Sequence, residues 1–133
     1  PLGPDAITAA AYAHALHTLR PALQAAYRRC VERHNIAALV FPTSPLTAAR
    51  IGEDVELTLC GRPTTAFQTY IRNTGPAGMA GLPALSLPMG LTREGLPAGL
   101  ELTGAAGADS ALLALALGVE AALPTAPRPL SAT

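Results

Sequence analysis

The sequence predicts an α/β fold, with helices packed on short strands of a mixed sheet. Three patterns point there. An apolar stripe recurs every three or four residues across 7–35, which is the helical period. A short apolar run at 38–41 and the short stretches ALSL at 84–87 and GLEL at 99–102 are fenced by proline or glycine and have the length of strands, the first two of them buried. A second apolar segment of helical length follows Asp109 and stops at Pro124.

In the first helix the stripe is Tyr12, Leu16, Leu19, Leu23, Ala26 and Cys30, with His14, His17, Gln24 and Arg28 on the other side. Pro21 removes a backbone donor, so it should kink or divide this helix. Ala38 to Phe41 reads as a strand buried on both faces, and the following Pro42-Thr43-Ser44-Pro45 must leave the sheet. Residues 55–66, VELTLCGRPTTA, alternate as a hairpin with Cys60-Gly61 at its turn. Asn73 or Thr74 can cap a short helix that has Pro76 in its first turn and Gly81 just past its end. Ala84 to Leu87 and Gly99 to Leu102 are then paired across a turn at 90–95. Asp109 is placed to cap the last helix. Its apolar residues, Leu112, Leu113, Ala116, Leu117, Val119 and Leu123, spread around most of the circumference, so burial on most sides is expected.

Composition narrows the function. The 133 residues are 50% hydrophobic but only 4% aromatic, and much of the apolar content is alanine. Alanine buries little area, so the chain resembles a piece of a larger core more than a self-contained one. Net charge is zero, with nine basic residues, all arginine, against nine acids. No basic patch favours nucleic acid. Cys30 and Cys60 fit no metal or redox spacing. No apolar stretch is long enough to span a membrane, and no signal peptide is recognisable, so no membrane partner and a cytoplasmic location are expected.

Each candidate for chemistry meets a plainer reading. His14 and His17 lie three apart on a helix, but no third ligand has a recognisable place, and no metal is expected. Ser44 and Ser86 lie in PTSP and LSLP, neither in a nucleophile elbow, and no base is placed to activate them. Ser86 reads better as a buried strand residue with its hydroxyl bonded to backbone. Glu53, Asp54 and Glu56 cluster near the hairpin and read as surface charge, whereas Glu101 falls mid-strand and should point away from Leu100 and Leu102. GPAGMAG lacks the spacing and the lysine-serine pair of a phosphate loop.

Residues 73–104 resemble the amidase signature family. The family pattern N-T-x-P-A-x-x-A-G-L-P-A-[IL]-S-[LV]-P-x-G is met from Asn73 to Gly90, and G-L-P-[VA]-G-L-[QE]-L-x-G from Gly95 to Gly104. Asp109, Leu112-Leu113, Glu120 and the upstream run Ala38 to Pro45 continue the match. Phe41 to Pro45, Ile51-Gly52, Val55 to Leu57 and Thr69 to Thr74 look most like indoleacetamide and mandelamide hydrolases.

The resemblance implies hydrolysis of an amide to carboxylate and ammonia without a cofactor, through a serine, a second bridging serine and a lysine. This chain has no lysine and no Gly-Gly-Ser-Ser-like run, so it carries no catalytic residue of that kind. The expectation is a C-terminal portion of an amidase domain over residues 1–123, with a proline-rich, disordered tail at 124–133. Its partners would be a small-molecule amide and the missing N-terminal part of the same enzyme. By position the resemblance assigns Thr43, Tyr70, Asn73, Thr74 and Gly78 to the acyl pocket. Ile71 and Arg72 stand where relatives acting on charged substrates place an acid, which implies a neutral or aryl substrate. The alternative is a non-catalytic binding or interaction module.

Overall fold

A computed structural model describes residues 6–52 and 55–124; the expected disordered tail lies almost wholly outside the described residues. The chain begins with α1 (Ala9–His14), a π-helical stretch (Ala15–Leu19) and α2 (Arg20–His34), which run on from one another. Thr8 caps the start by accepting a hydrogen bond from the Ala11 amide. The irregularity falls just ahead of Pro21. Proline has no N–H for the carbonyl four residues back and crowds it, and the chain relaxes there into wider hydrogen bonding, with the Arg20 amide reaching Ala15 O. The expected kink is thus a π-turn. Asn35, left-handed at φ 47°, ends α2.

Five strands follow in two sheets. β1 (Ala38–Pro42), β4 (Ala84–Leu91) and β5 (Pro97–Gly104) form a sheet in the order β1-β5-β4, and β2 (Glu56–Leu59) pairs with β3 (Arg62–Thr65) as a separate hairpin. Every pairing among the described residues is antiparallel. The hairpin turns at Cys60-Gly61, both at positive φ, which is the geometry a two-residue hairpin loop needs. The Cys60 side chain is exposed there. Strands β4 and β5 are longer than the stretches 84–87 and 99–102 expected from sequence, because pairing continues across a register shift near Pro88 and Gly90. A short helix absent from the sequence reading, α3 (Ala66–Tyr70), links the hairpin to α4 (Gly75–Ala80).

Alternation on β5 decides the layers. Leu102 points to one face, where it is fully buried against Leu112 and Ala116 of α5 (Asp109–Ala122), with Ala38, Leu85, Leu87 and Val119 around them. Glu101 and Thr103 point to the other face and are also buried. That face is turned toward Tyr27 of α2, whose phenol feels the Glu101 charge. Helix α2 packs on α4, and Gln24 Nε2 donates to Ala80 O at 2.8 Å.

Four expectations need correction. The 38–41 run is not buried on both faces: β1 is an edge strand, with Val40 55% exposed, because only β5 pairs with it among the described residues. Helix α5 is not buried on most sides. It lays a single stripe, Leu112 and Ala116, on the sheet and leaves Leu113 and Leu117 60% and 68% exposed. Asp109 is the first residue of α5 rather than its cap, and Ala108 occupies the cap position without a side-chain bond. The N-terminal stripe is open at Tyr12 and Leu19, while Gln24, assigned to the polar side, makes the helix–helix hydrogen bond.

Candidate functional site

A cleft of about 540 Å³ opens where β1 and β5 run out of the sheet. Its walls are Pro42 to Ala48, which leave β1 as a loop, together with Tyr70, Ser86, Thr92 and Pro97 to Gly99. Most of the lining is apolar, from Pro42, Pro45, Leu46, Ala48, Pro97 and Ala98, with hydroxyls from Thr43, Ser86 and Tyr70 among them. Concave, mainly apolar sites with a few placed polar groups are the usual shape for small-molecule recognition.

The Thr43 and Ser86 hydroxyls, both in the cleft lining, meet in a hydrogen bond. The Thr43 amide donates to Gly99 O at 2.9 Å, so the loop leaves β1 still tied to β5. Gly99 makes the arrangement possible. A Cβ there would lie 2.7 Å from both hydroxyl oxygens and 3.2 Å from Thr43 Cβ. Ser86 is therefore an exposed residue paired to a side chain, not a buried one paired to backbone, because β4 is an edge strand and the cleft lies over that position. Its partner Thr43 is no base at neutral pH, so the pair does not generate a nucleophile. Ser44 Oγ, also in the wall, is buried with no hydrogen-bond partner among the described residues.

Tyr70 closes one side. Its phenol donates to Thr47 O at 3.0 Å and accepts from the Ala49 amide at 2.9 Å. Asn73, one turn on, donates from Nδ2 to Pro42 O at 2.7 Å. Beneath them α3 is anchored by Thr69, which is buried and bonded to Thr65 O at 2.8 Å and to the Thr64 hydroxyl at 3.0 Å.

The five sequence-assigned pocket residues thus separate. Thr43 and Tyr70 line the cleft, and Asn73 holds its rim. Thr74 sits at the start of α4 with its hydroxyl 3.5 Å from Ile71 O, and Gly78 is exposed on α4; neither lines the cleft. Sequence reasoning missed Gly99 and the Thr43–Ser86 pair. The available signal was a glycine inside a strand, which marks a close approach by another group.

Outside the cleft, Glu101 is a buried carboxyl whose one side-chain partner among the described residues is the Thr103 hydroxyl at 3.4 Å. Burial pushes its pKa up, and the Thr103 bond offsets this only in part. The Tyr27 phenol is raised first by burial and then by the Glu101 charge. His14 and His17 are exposed on the N-terminal helix, and among the described residues no three of His, Cys, Asp and Glu come together as metal ligands. Glu53 and Asp54 lie outside the described residues. No helix among the described residues is long and apolar enough to cross a membrane.

Helices layered on an antiparallel sheet, with a cleft built at strand ends, place the chain in the α/β class. It belongs to the amidase family, whose pattern matches residues 3–113. Indoleacetamide hydrolase of Agrobacterium vitis is 44% identical over 117 residues, 88% of this chain and 25% of that protein. Mandelamide hydrolase of Pseudomonas putida is 36% identical over 124 residues, 90% of this chain and 22% of that protein. A crystal structure of an amidase superimposes with a TM-score of 0.80 at 31% identity, over 89% of this chain and 26% of that one. The chain spans about a quarter of the length of the relatives it matches.

Proposed function

We propose that this chain is the C-terminal portion of an amidase, residues 1–123 forming its scaffold and part of its acyl pocket. The complete enzyme would hydrolyse a neutral primary amide of the arylacetamide type to carboxylate and ammonia, without a cofactor. The observation that carries this reading is the 44% identity to an indoleacetamide hydrolase across nearly the whole chain. The mainly apolar cleft at Thr43, Tyr70 and Ser86 supports it, since a flat aromatic acyl group gains most from apolar walls. Thr74 and Gly78 stay in the proposal as residues bordering the pocket once the rest of the enzyme is in place.

Amide hydrolysis needs a nucleophile, a base to activate it and donors for the oxyanion. With no lysine and no Gly-Ser-rich run, this chain supplies none of the serine-serine-lysine relay that the family resemblance implies. The partner that brings it is the N-terminal part of the same enzyme. The groove between the N-terminal helix and α4, lined by Tyr12, Leu16, Leu19 and Met79, is a surface that such a part would cover. A cytoplasmic location goes with this reading.

The test is an assay of the 133-residue chain beside a longer protein that carries it, against phenylacetamide, indole-3-acetamide and acetamide. The short chain should show no turnover and the longer one should release ammonia. Turnover by the short chain that survives purification, or none by the longer protein, would refute the proposal.

A further inference from the structure

We infer that Tyr70 and Asn73 are positioning residues, which set the acyl wall by clamping the loop from Pro42 to Ala49 instead of binding substrate themselves. The inference rests on the proposed amidase function and deepens it. The loop carries the apolar wall, Pro45, Leu46 and Ala48. It contains no regular secondary structure between Thr43 and Arg50. At its start it is held by Thr43, through Gly99 and Ser86. Beyond that, the side-chain hydrogen bonds it makes among the described residues are those of Tyr70, at Thr47 and Ala49.

The two residues act from neighbouring positions. Tyr70 is the last residue of α3 and Asn73 stands in the turn that leads to α4, and together they grip the loop at two places, its exit from β1 and its middle. Thr69, buried beside them, ties α3 back to the hairpin. The phenol's single proton is spent on Thr47 O, so it has none to give an amide carbonyl. Asn73 places one of its two Nδ2 protons on Pro42 O. Both side chains point their polar ends into backbone, where they restrict the wall that a bulky acyl group must meet. A small acyl group would not reach that wall.

The consequence is selective. Loosening the loop should weaken binding of an aryl substrate about equally in its ground and transition states, which raises KM and leaves kcat alone. The experiment compares wild type with Tyr70→Phe in the full-length enzyme. Tyr70→Phe keeps the ring and removes only the hydroxyl. Two readouts are taken: amide hydrogen exchange of the 44–52 segment, and steady-state kinetics on phenylacetamide and acetamide.

Exchange in that segment should speed about tenfold or more. KM for phenylacetamide should rise about three- to tenfold with kcat within about twofold, while acetamide kinetics stay level. Unchanged exchange overturns the clamp. A loss of kcat equal on both substrates overturns the positioning role and makes Tyr70 part of the reacting centre. If wild type hydrolyses neither amide, the amidase reading fails, and exchange alone then decides whether the clamp exists.

Discussion

Gly99→Ala puts the Thr43–Ser86 contact to its most direct test. The added methyl would sit 2.7 Å from Ser86 Oγ and from Thr43 Oγ1, and 3.2 Å from Thr43 Cβ. Ordinary carbon contacts begin near 3.4 Å, so something must move. The backbone cannot easily retreat: Gly99 pairs with Pro88 on β4, and its carbonyl accepts the Thr43 amide at 2.9 Å. The side chains must yield, which breaks the Thr43–Ser86 hydrogen bond. Overpacking of this kind costs about 1–3 kcal/mol, and a lost hydroxyl pair adds about 1 kcal/mol. A destabilisation of about 2–4 kcal/mol is expected, read from urea unfolding followed by far-UV circular dichroism.

The cycle with Ser86→Ala sharpens this. Ser86→Ala alone should cost about 1 kcal/mol. In the double variant the hydrogen bond can be lost only once and one clash is gone, so the combined cost should fall about 1 kcal/mol or more short of the sum. A Gly99→Ala chain within about 0.5 kcal/mol of wild type, the range of a bland surface change, would refute the packing argument. Strict additivity would show that Gly99 and Ser86 do not meet.

Two further expectations concern the body of the fold. Leu102→Ala empties the centre of the α5–sheet layer, where Leu102 is fully buried against Leu112 and Ala116, and should cost about 2–5 kcal/mol in the same urea measurement; Leu113→Ala, on the exposed side of α5, should cost far less. For Glu101 the folded pKa is raised, so the folded state holds its proton more tightly than the unfolded chain does. The stability from this group is fully present below about pH 4.3, the unfolded value, and is lost as pH rises through the folded pKa. Glu101→Gln should therefore match wild type in acid and exceed it at neutral pH, in melting temperatures taken from pH 4 to 8; a variant less stable than wild type at pH 8 would show that the carboxylate has a partner there.

Much of the fold follows from local chemistry. Gly61 and Gly81, free to take positive φ, and Pro76, with its fixed φ and missing N–H, set a hairpin turn and helix ends locally, so their elements stand where the sequence puts them. The alternation that sends Glu101 away from Leu102 is equally local. The 73–104 motif was enough to expect the family. What local rules do not encode is which face of an element finds a neighbour. Val40 and Leu113 carry the same apolar signal as Leu102 and Leu112, yet only the latter pair is covered.

The site divides in the same way. The family resemblance assigned Thr43, Tyr70, Asn73, Thr74 and Gly78 to a pocket wall, but not what each would touch. Whether Tyr70 offers its hydroxyl to a ligand or spends it on Thr47 and Ala49 depends on a contact more than twenty residues away in sequence. The meeting of Thr43 with Ser86 depends on a strand register and on the empty space at Gly99. By itself, then, the sequence determined most of the secondary elements, though not α3, together with the family and the absence of a lysine from this chain, because composition, turn chemistry and residue spacing are properties of neighbouring residues. The tertiary structure alone decided the cleft, the hydrogen bonds of Tyr70 and Asn73, and the covered faces, because hydrogen-bond partners and burial come from segments that only folding brings together.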